Sequence, residues 1–384
     1  MAALRGMYGG AGAAGLSRKG AFDRWVGRPS DCVSDGLARD NWTSCISNAD
    51  AAARDGWSKF VGFKAVSVPL CMQADAGGYD LAGAASGAYD TKYRSLFTTI
   101  RNRNVGNLIL RIGWEFNGGW YPWGASAPPS WTASATRAAL FVQAYRRCAA
   151  IAREVLPNAL LDWNCAFGNM GVSTQTFYPG DDVVDVIGMD IYNAIDPDQP
   201  TWTDARRWDH FLTANNGLNW LATFAGQHKK KISFPEWGTG YKKATGSTTN
   251  VSRDSATWVN SMVAWIAAHD VFYANYFHYP APDGQWQLGA DVPLWNLVPG
   301  TQNAAKQFPN ASAAYHAAYG VTPMANQIDT DLTALQADVA ALDAADAAVQ
   351  TATTSLSQAQ ADRAAKKQTV LTRLATMTAD VTAF

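Results

Sequence analysis

Ile109-Leu110-Arg111-Ile112-Gly113-Trp114-Glu115 and Ile232-Ser233-Phe234-Pro235-Glu236-Trp237 share one design, a short apolar run that ends in a glutamate. Runs this short, bounded by Gly or Pro, read as buried strands, because a helix needs about twice the length. The first of them starts at Asn107. Others without the glutamate lie at Leu4–Tyr8, Ala65–Leu70, Leu160–Asn164, Val184–Ile191 and Phe272–Phe277. A weaker run at Cys32–Val33 completes a set of eight strands, with helical patterns between them. Within Thr136–Leu156, for example, Phe141, Tyr145, Cys148, Ala152 and Val155 share one helical face, and Pro157-Asn158 stops the helix. Strands alternating with helices over residues 1–322 predict an α/β fold, a parallel (β/α)8 barrel.

In such a barrel the C-terminal ends of the strands carry the active site. The two strand-end glutamates therefore draw attention, all the more because the chain has only three, Glu115, Glu154 and Glu236. Glu154 sits in the amphipathic helix, where a solvent-facing role suffices. Glycoside hydrolysis needs two carboxyl groups, one to protonate the leaving oxygen and one to attack the anomeric carbon or activate water. Each candidate is flanked by tryptophan, Trp114 or Trp237, which would desolvate the carboxyl and raise the pKa of an acid. After Glu115 the chain reads Phe116-Asn117-Gly118-Gly119-Trp120-Tyr121-Pro122-Trp123. Trp120 and Trp123, three apart in a Gly/Pro-rich loop, are candidates for a sugar-stacking wall. Their other reading is a loop pinned to the barrel rim.

The stretch from Arg111 to Trp123 resembles the acid/base motif of glycoside hydrolase family 26, the β-mannanase family. That motif combines an arginine, a glutamate four residues on, Asn-Gly and two spaced tryptophans. Asp185-Val-Ile-Gly188-Met-Asp190-Ile-Tyr192 is similar to the family's sixth strand, and Ile232–Gly238 to its seventh. The resemblance implies retaining chemistry with Glu115 as acid/base at the end of strand four and Glu236 as nucleophile at the end of strand seven. It also implies that Tyr192 orients Glu236 and that Arg111 lies beneath the site. Substrate-binding candidates are Arg111, Trp114, Asn117, Trp120, Trp123, Asp190, Tyr192 and Trp237, with Trp163, Asn164 and His278 added from strand-end position alone. One departure stands out. The family's mannanases usually carry His immediately before the acid/base, where this chain has Trp114, so the sugar is left open.

Composition narrows the other classes. Lys+Arg (31) and Asp+Glu (32) give a net charge of -1, which offers no footprint for nucleic acid or an anionic membrane. No apolar stretch is long enough to span a membrane. The five histidines lack ligand spacing, and no nucleophile elbow or phosphate loop is present, so neither a metal nor another cofactor is expected. The five cysteines read as free and buried, with Cys32–Cys45 the one pairing left open. The N-terminus lacks the charged start and apolar core of a secretion signal.

Residues 323–384 change character. From Asn326 there is no Gly, Pro, Trp or Tyr, and steps of four and three from Ile328 run unbroken to Phe384, with Gln360, Arg363 and Lys367 as a polar centre. This heptad frame predicts a coiled coil that joins copies of the chain through residues 326–384, or else a helical hairpin turning near Thr351–Ser357. An unstructured Ala-rich tail is the third reading. The expected partner of the barrel is a polysaccharide, cut at internal bonds, and the expected location is extracellular or on a virion. A phage-tail enzyme would combine these features. The alternative is a glycan-binding or phage tail receptor-binding protein that holds the glycan without cutting it, which would have no need of two strand-end glutamates.

Overall fold

The computed structural model describes residues 2–73, 79–126, 135–168, 171, 173–193, 201–242, 251–282, 284–289, 308–320 and 325–382. By internal contacts the chain divides into two units, Met1–Val321 and Thr322–Phe384.

The first unit is a closed barrel. Its chain order is β1 (Leu4–Tyr8), α1 (Gly12–Val26), β2 (Cys32–Gly36), α2 (Trp42–Asp55), β3 (Phe63–Val68), α3 (Leu81–Ser86), α4 (Asp90–Asn102) and β4 (Leu108–Ile112). There follow α5 (Ala135–Val155), β5 (Leu160–Ala166), β6 (Val186–Tyr192), α6 (Asp204–Thr213), α7 (Leu218–Gln227) and β7 (Lys231–Gly238). Two short strands, β8 (Tyr241–Lys242) and β9 (Val251–Ser252), precede α8 (Ala256–Ala268) and the last barrel strand, β10 (Val271–Phe277). Two more, β11 (Pro280–Ala281) and β12 (Gly284–Gln285), join β8 and β9 in a small antiparallel sheet, before α9 (Pro309–Tyr319) ends the unit. Around the barrel the strands pair in parallel in the order β1-β10-β7-β6-β5-β4-β3-β2. The weak run at Cys32–Val33 is thus a full strand, extended by Ser34, Asp35 and Gly36, which carry no apolar side chain and so hid it from a hydrophobic pattern.

Two apolar cores hold the barrel. The larger lies between strands and helices, where Phe141, Tyr145, Cys148, Ala152 and Val155 of α5 are all buried. The smaller, Cys32, Ala65, Ile109 and Tyr273, sits apart from it, with Leu4, Phe63, Leu160 and Phe272 packed around. A polar layer fills the interior nearer the site. Asp162 accepts from Ser233 Oγ (2.7 Å) and Tyr273 OH (2.6 Å), and Asn275 donates to Ser34 Oγ (2.7 Å). Gly188 makes room for that layer, since a Cβ there would come within 2.6 Å of both Asp162 Oδ1 and Ser233 Oγ. The cysteines are free and buried, Cys32 and Cys45 included.

The second unit is a single helix, α10 (Ala325–Thr382). It runs without interruption through Thr351–Ser357, so the hairpin expected as one alternative is not the state of this chain. The hydroxyls at that point are accommodated within the helix and do not break it. Thr351, Thr353, Thr354 and Ser357 each donate to the carbonyl four residues earlier, at 2.8–3.0 Å. No helix among the described residues is long and apolar enough to cross a membrane.

Candidate active site

At the end of β4 the chain turns sharply. Gly113 has φ +56° and Glu115 φ +50°. Gly113 adopts this region freely, but a glutamate there is strained, and such strain persists only where the surroundings impose it. They do so here by hydrogen bonds. Glu115 N–H donates to Asn164 C=O on β5 (2.8 Å), and Gly118 N–H donates to Glu115 C=O (3.1 Å). Asn117 then clamps the loop to β5. Its side chain donates to Ala166 C=O and accepts from Ala166 N–H, both at 2.8 Å.

The tryptophans of this loop divide between two tasks. Trp123 is fully buried, donates to Trp114 C=O (2.8 Å) and packs against Trp114 and Tyr121, with ring centroids 4.6 and 4.9 Å away. It anchors the loop and presents no face to a sugar. Trp120 is 46% exposed, and its Nε1–H donates to Glu115 Oε2 (2.7 Å).

Glu236 follows Pro235 in β7, where the pairing with both neighbouring strands shifts register. Proline offers no N–H to a ladder, and such an irregularity re-aims the next side chain. Ser34 reaches across to bond the carbonyl of Pro235 (2.6 Å) and so holds the irregularity in place. The carboxyl of Glu236 accepts from Arg111 Nη1 at one oxygen (2.8 Å) and from Tyr192 OH at the other (2.6 Å). Both donors suit a carboxylate.

Arg111 connects the set from below. It is buried and donates to Ser67 Oγ (3.0 Å), Asn164 Oδ1 (3.0 and 2.6 Å), Asp190 Oδ2 (2.5 Å) and Glu236 Oε1. Its N–H groups are thereby consumed by protein acceptors. One carboxyl oxygen from each of Glu115, Asp190 and Glu236 lies within 4.8 Å of the other two.

Three carboxyl groups and one guanidinium cannot all be charged so close together. Burial, and then the neighbouring charge of Glu236, push Glu115 up to about 7 against hydrogen bonds from Trp120 and Asp190 and the charge of Arg111 that pull it down. Burial also pushes Asp190 well above the usual carboxylate range, with Arg111 opposing. The site therefore stores a proton on the Glu115 side near neutral pH, while the strongest donors serve Glu236. Among the described residues this trio is the one acidic cluster with metal-like spacing, but Arg111 already faces two of its members, so a divalent ion would meet a guanidinium.

The other expected site residues lie elsewhere. Trp163 is buried, bonded to Phe177 C=O (3.0 Å) and stacked on Phe116. Trp237 packs inside against Trp258, Tyr276 and Tyr315. His278 is fully buried, accepts from Leu288 N–H (3.1 Å) and is pushed down to about 3 by that burial. Strand-end position alone puts Trp163 and His278 in the cleft and the family resemblance puts Trp237 there, but each side chain turns outward from the barrel axis into the core. Asn164 and Asp190 lie under the site and bind Arg111, and Trp114 is buried beneath Tyr121.

Other residues at the strand ends were missed. Tyr8 stacks on Phe277 (4.8 Å), and Phe277 and Trp286 flank Tyr192 (5.5 Å each), so an aromatic group surrounds Tyr192 beside Glu236. Burial, and the charges of Asp35 and Glu236, raise Tyr8 above its usual range. Tyr8 and Phe277 end strands, as both glutamates nearly do, and that position was the available signal. Asp35, at the end of β2, accepts from Trp57 Nε1 (2.7 Å) and Gly12 N–H (2.8 Å), which ties β2 to α1.

The model of a family described as glycosyl hydrolase family 26 matches residues 95–231, from within α4 to the start of β7. The match includes Glu115 and Tyr192 and stops short of Glu236. No curated protein matches the chain. Among solved structures, a mannanase of Bacillus subtilis is 15% identical, with a TM-score of 0.53 over 84% of this chain and 87% of its own. An endo-β-1,4-mannanase double mutant of Cellulomonas fimi is 18% identical, with a TM-score of 0.54 over 84% and 72%. The catalytic domain of a family 26 endo-β-1,4-mannanase of Bacillus sp. JAMB-750 is 17% identical, with a TM-score of 0.54 over 84% and 88%. At these identities the likeness establishes the barrel fold, and the family match supplies the chemistry class. The stretch from α4 to β7 thus matches glycosyl hydrolase family 26, and the chain is an O-glycosyl hydrolase.

Proposed function

We propose that the chain is a retaining, endo-acting glycosidase in which Glu236 is the nucleophile and Glu115 the acid/base. The observation that carries this reading is the approach of the two carboxyl groups. One oxygen of each lies within 4.8 Å of one of the other, an approach that fits the close carboxyl pair of retaining enzymes, about 5–5.5 Å, better than the roughly 6.5–9.5 Å at which inverting enzymes admit a water.

In the first step Glu236 attacks the anomeric carbon while Glu115 passes its proton to the leaving oxygen. A glycosyl-enzyme ester forms and the departing chain leaves with the proton. Ester formation removes the negative charge from Glu236. One cause of the raised pKa of Glu115 is that charge, so the acid's pKa falls in the intermediate. Glu115, now ionised, takes a proton from water, which attacks the same carbon and frees Glu236. One carboxyl thus serves as acid and then base because its neighbour's charge comes and goes. Tyr192 and Arg111 hold Glu236 in line, and Trp120 carries the exposed ring on which a sugar would stack beside the acid.

The three solved structures named above are mannanases by name, which makes β-linked mannan the first substrate to test. Trp114 in place of the usual His keeps other pyranose polysaccharides on the panel. Mannans and bacterial surface glycans lie in cell walls and coats, so a substrate of that kind implies an extracellular or virion-borne enzyme. The heptad frame of α10 supports association of copies through this helix. Digestion of mannans, glucans and bacterial surface glycans by wild type and Glu115→Gln, with the product anomer followed by NMR, tests the assignment. Release of oligosaccharides by wild type alone, with retained β configuration, is the expected result. Glycan that binds and is never cut would favour the lectin-like alternative, and an inverted product would remove Glu236 as nucleophile.

A further inference from the structure

The seam of α10 is self-complementary about its own midpoint. Leu335, Val339, Leu342, Leu356, Val370 and Leu374 are each more than half exposed on this helix. Such a row of apolar side chains at heptad spacing calls for a covering surface. Charge indicates which one. Residues 325–354 carry Asp329, Asp331, Asp338, Asp343 and Asp346 and no Lys or Arg, whereas residues 355–384 carry Arg363, Lys366, Lys367 and Arg373 against Asp362 and Asp380. The first half is acidic and the second basic.

We propose that two copies of α10 pair antiparallel, with the axis of symmetry between Thr354 and Ser355. Each residue before that point then faces the partner's residue equally far beyond it. Leu335 meets the partner's Leu374, Val339 meets the partner's Val370, and Asp346 meets the partner's Arg363 as an ion pair. Leu342 meets the partner's Lys367, whose aliphatic stem covers the leucine while the ammonium reaches water. The parallel arrangement keeps the apolar layers but stacks Asp346 on Asp346, Arg363 on Arg363 and Lys367 on Lys367, like charges within the seam. The same pairing within one chain would need a turn at the midpoint, where the helix is instead continuous.

This pairing rests on the association proposed above, and the full chain can test both. Sedimentation should give a dimer. Asp346→Arg and Arg363→Asp each place two like-charge contacts in the antiparallel seam and should weaken the dimer by on the order of tenfold or more. The double variant restores opposite charges and should recover wild-type affinity. A parallel seam is indifferent to either single reversal, because like already faces like there. A nitroxide at Ala341→Cys gives an independent reading, the native cysteines being buried. The antiparallel register sets the two labels about 40 Å apart along the axis at 1.5 Å per residue. A label distance below about 25 Å with unaffected single variants would overturn the antiparallel pairing and leave association standing. A monomer at every concentration would overturn both.

Discussion

Replacing Glu115 by glutamine should abolish turnover and, at the same time, stabilise the barrel in a way that depends on pH. The fold pushes this carboxyl from 4.5 up to about 7, first by burial and then by the charge of Glu236. Between these values the folded state holds a proton that the unfolded chain has released, so the contribution of Glu115 to stability is lost as pH rises through that window. At pH 8 the full penalty is present. A factor of ten in protonation is about 1.4 kcal/mol, which bounds the penalty at ~3 kcal/mol, and solvent screening at a partly exposed carboxyl reduces it to ~1–2 kcal/mol. Glutamine removes the charge and keeps the shape. Its carbonyl oxygen can accept from Trp120 Nε1 and its amide can donate to Asp190. Urea unfolding followed by tryptophan fluorescence reads the barrel alone, because no tryptophan occurs after Asn326. Glu115→Gln should be more stable than wild type by ~1–2 kcal/mol at pH 8 and indistinguishable from it near pH 4. Equal gains at both pH values, or a loss at pH 8, would refute the argument that burial and Glu236 hold the proton on Glu115.

The same carboxyl should set the alkaline limb of kcat/KM near pH 7. Trp120→Phe removes a hydrogen bond that lowers its pKa, so the limb should move to higher pH, and a limb that stays put or moves down would contradict that contact. Tyr192→Phe should lower kcat by roughly 10–100-fold with little change in KM, since the hydroxyl orients Glu236 without binding sugar, and an unchanged kcat would count against it. Trp123→Ala should cost about 3–5 kcal/mol of stability, as a fully buried ring. Trp120→Ala should leave stability within about 0.5 kcal/mol and raise KM instead, and the opposite pattern would reverse the assignment of anchor and stacking ring.

Much of this molecule is legible in one dimension because its signals are local. The barrel follows from short apolar runs alternating with amphipathic helices, a rule that needs only the periods 2 and 3.6. Glu115 and Glu236 stand out because strand ends of a barrel converge on one face and glutamate is otherwise almost absent here. The unbroken heptad of α10 is likewise a matter of spacing. What the sequence left open depends on direction. Trp120 and Trp123 are three residues apart in one loop, yet one is exposed over the acid and the other buried beneath it, which only the path of the loop decides. Trp163, Trp237 and His278 lie in or just after strands, as the glutamates do, but side chains alternate across a strand, and a one-residue difference turns a cleft residue into a core residue. The proton on Glu115 is also tertiary. It exists because three distant stretches of chain bring Arg111, Asp190 with Tyr192, and Glu236 into one small, poorly solvated space.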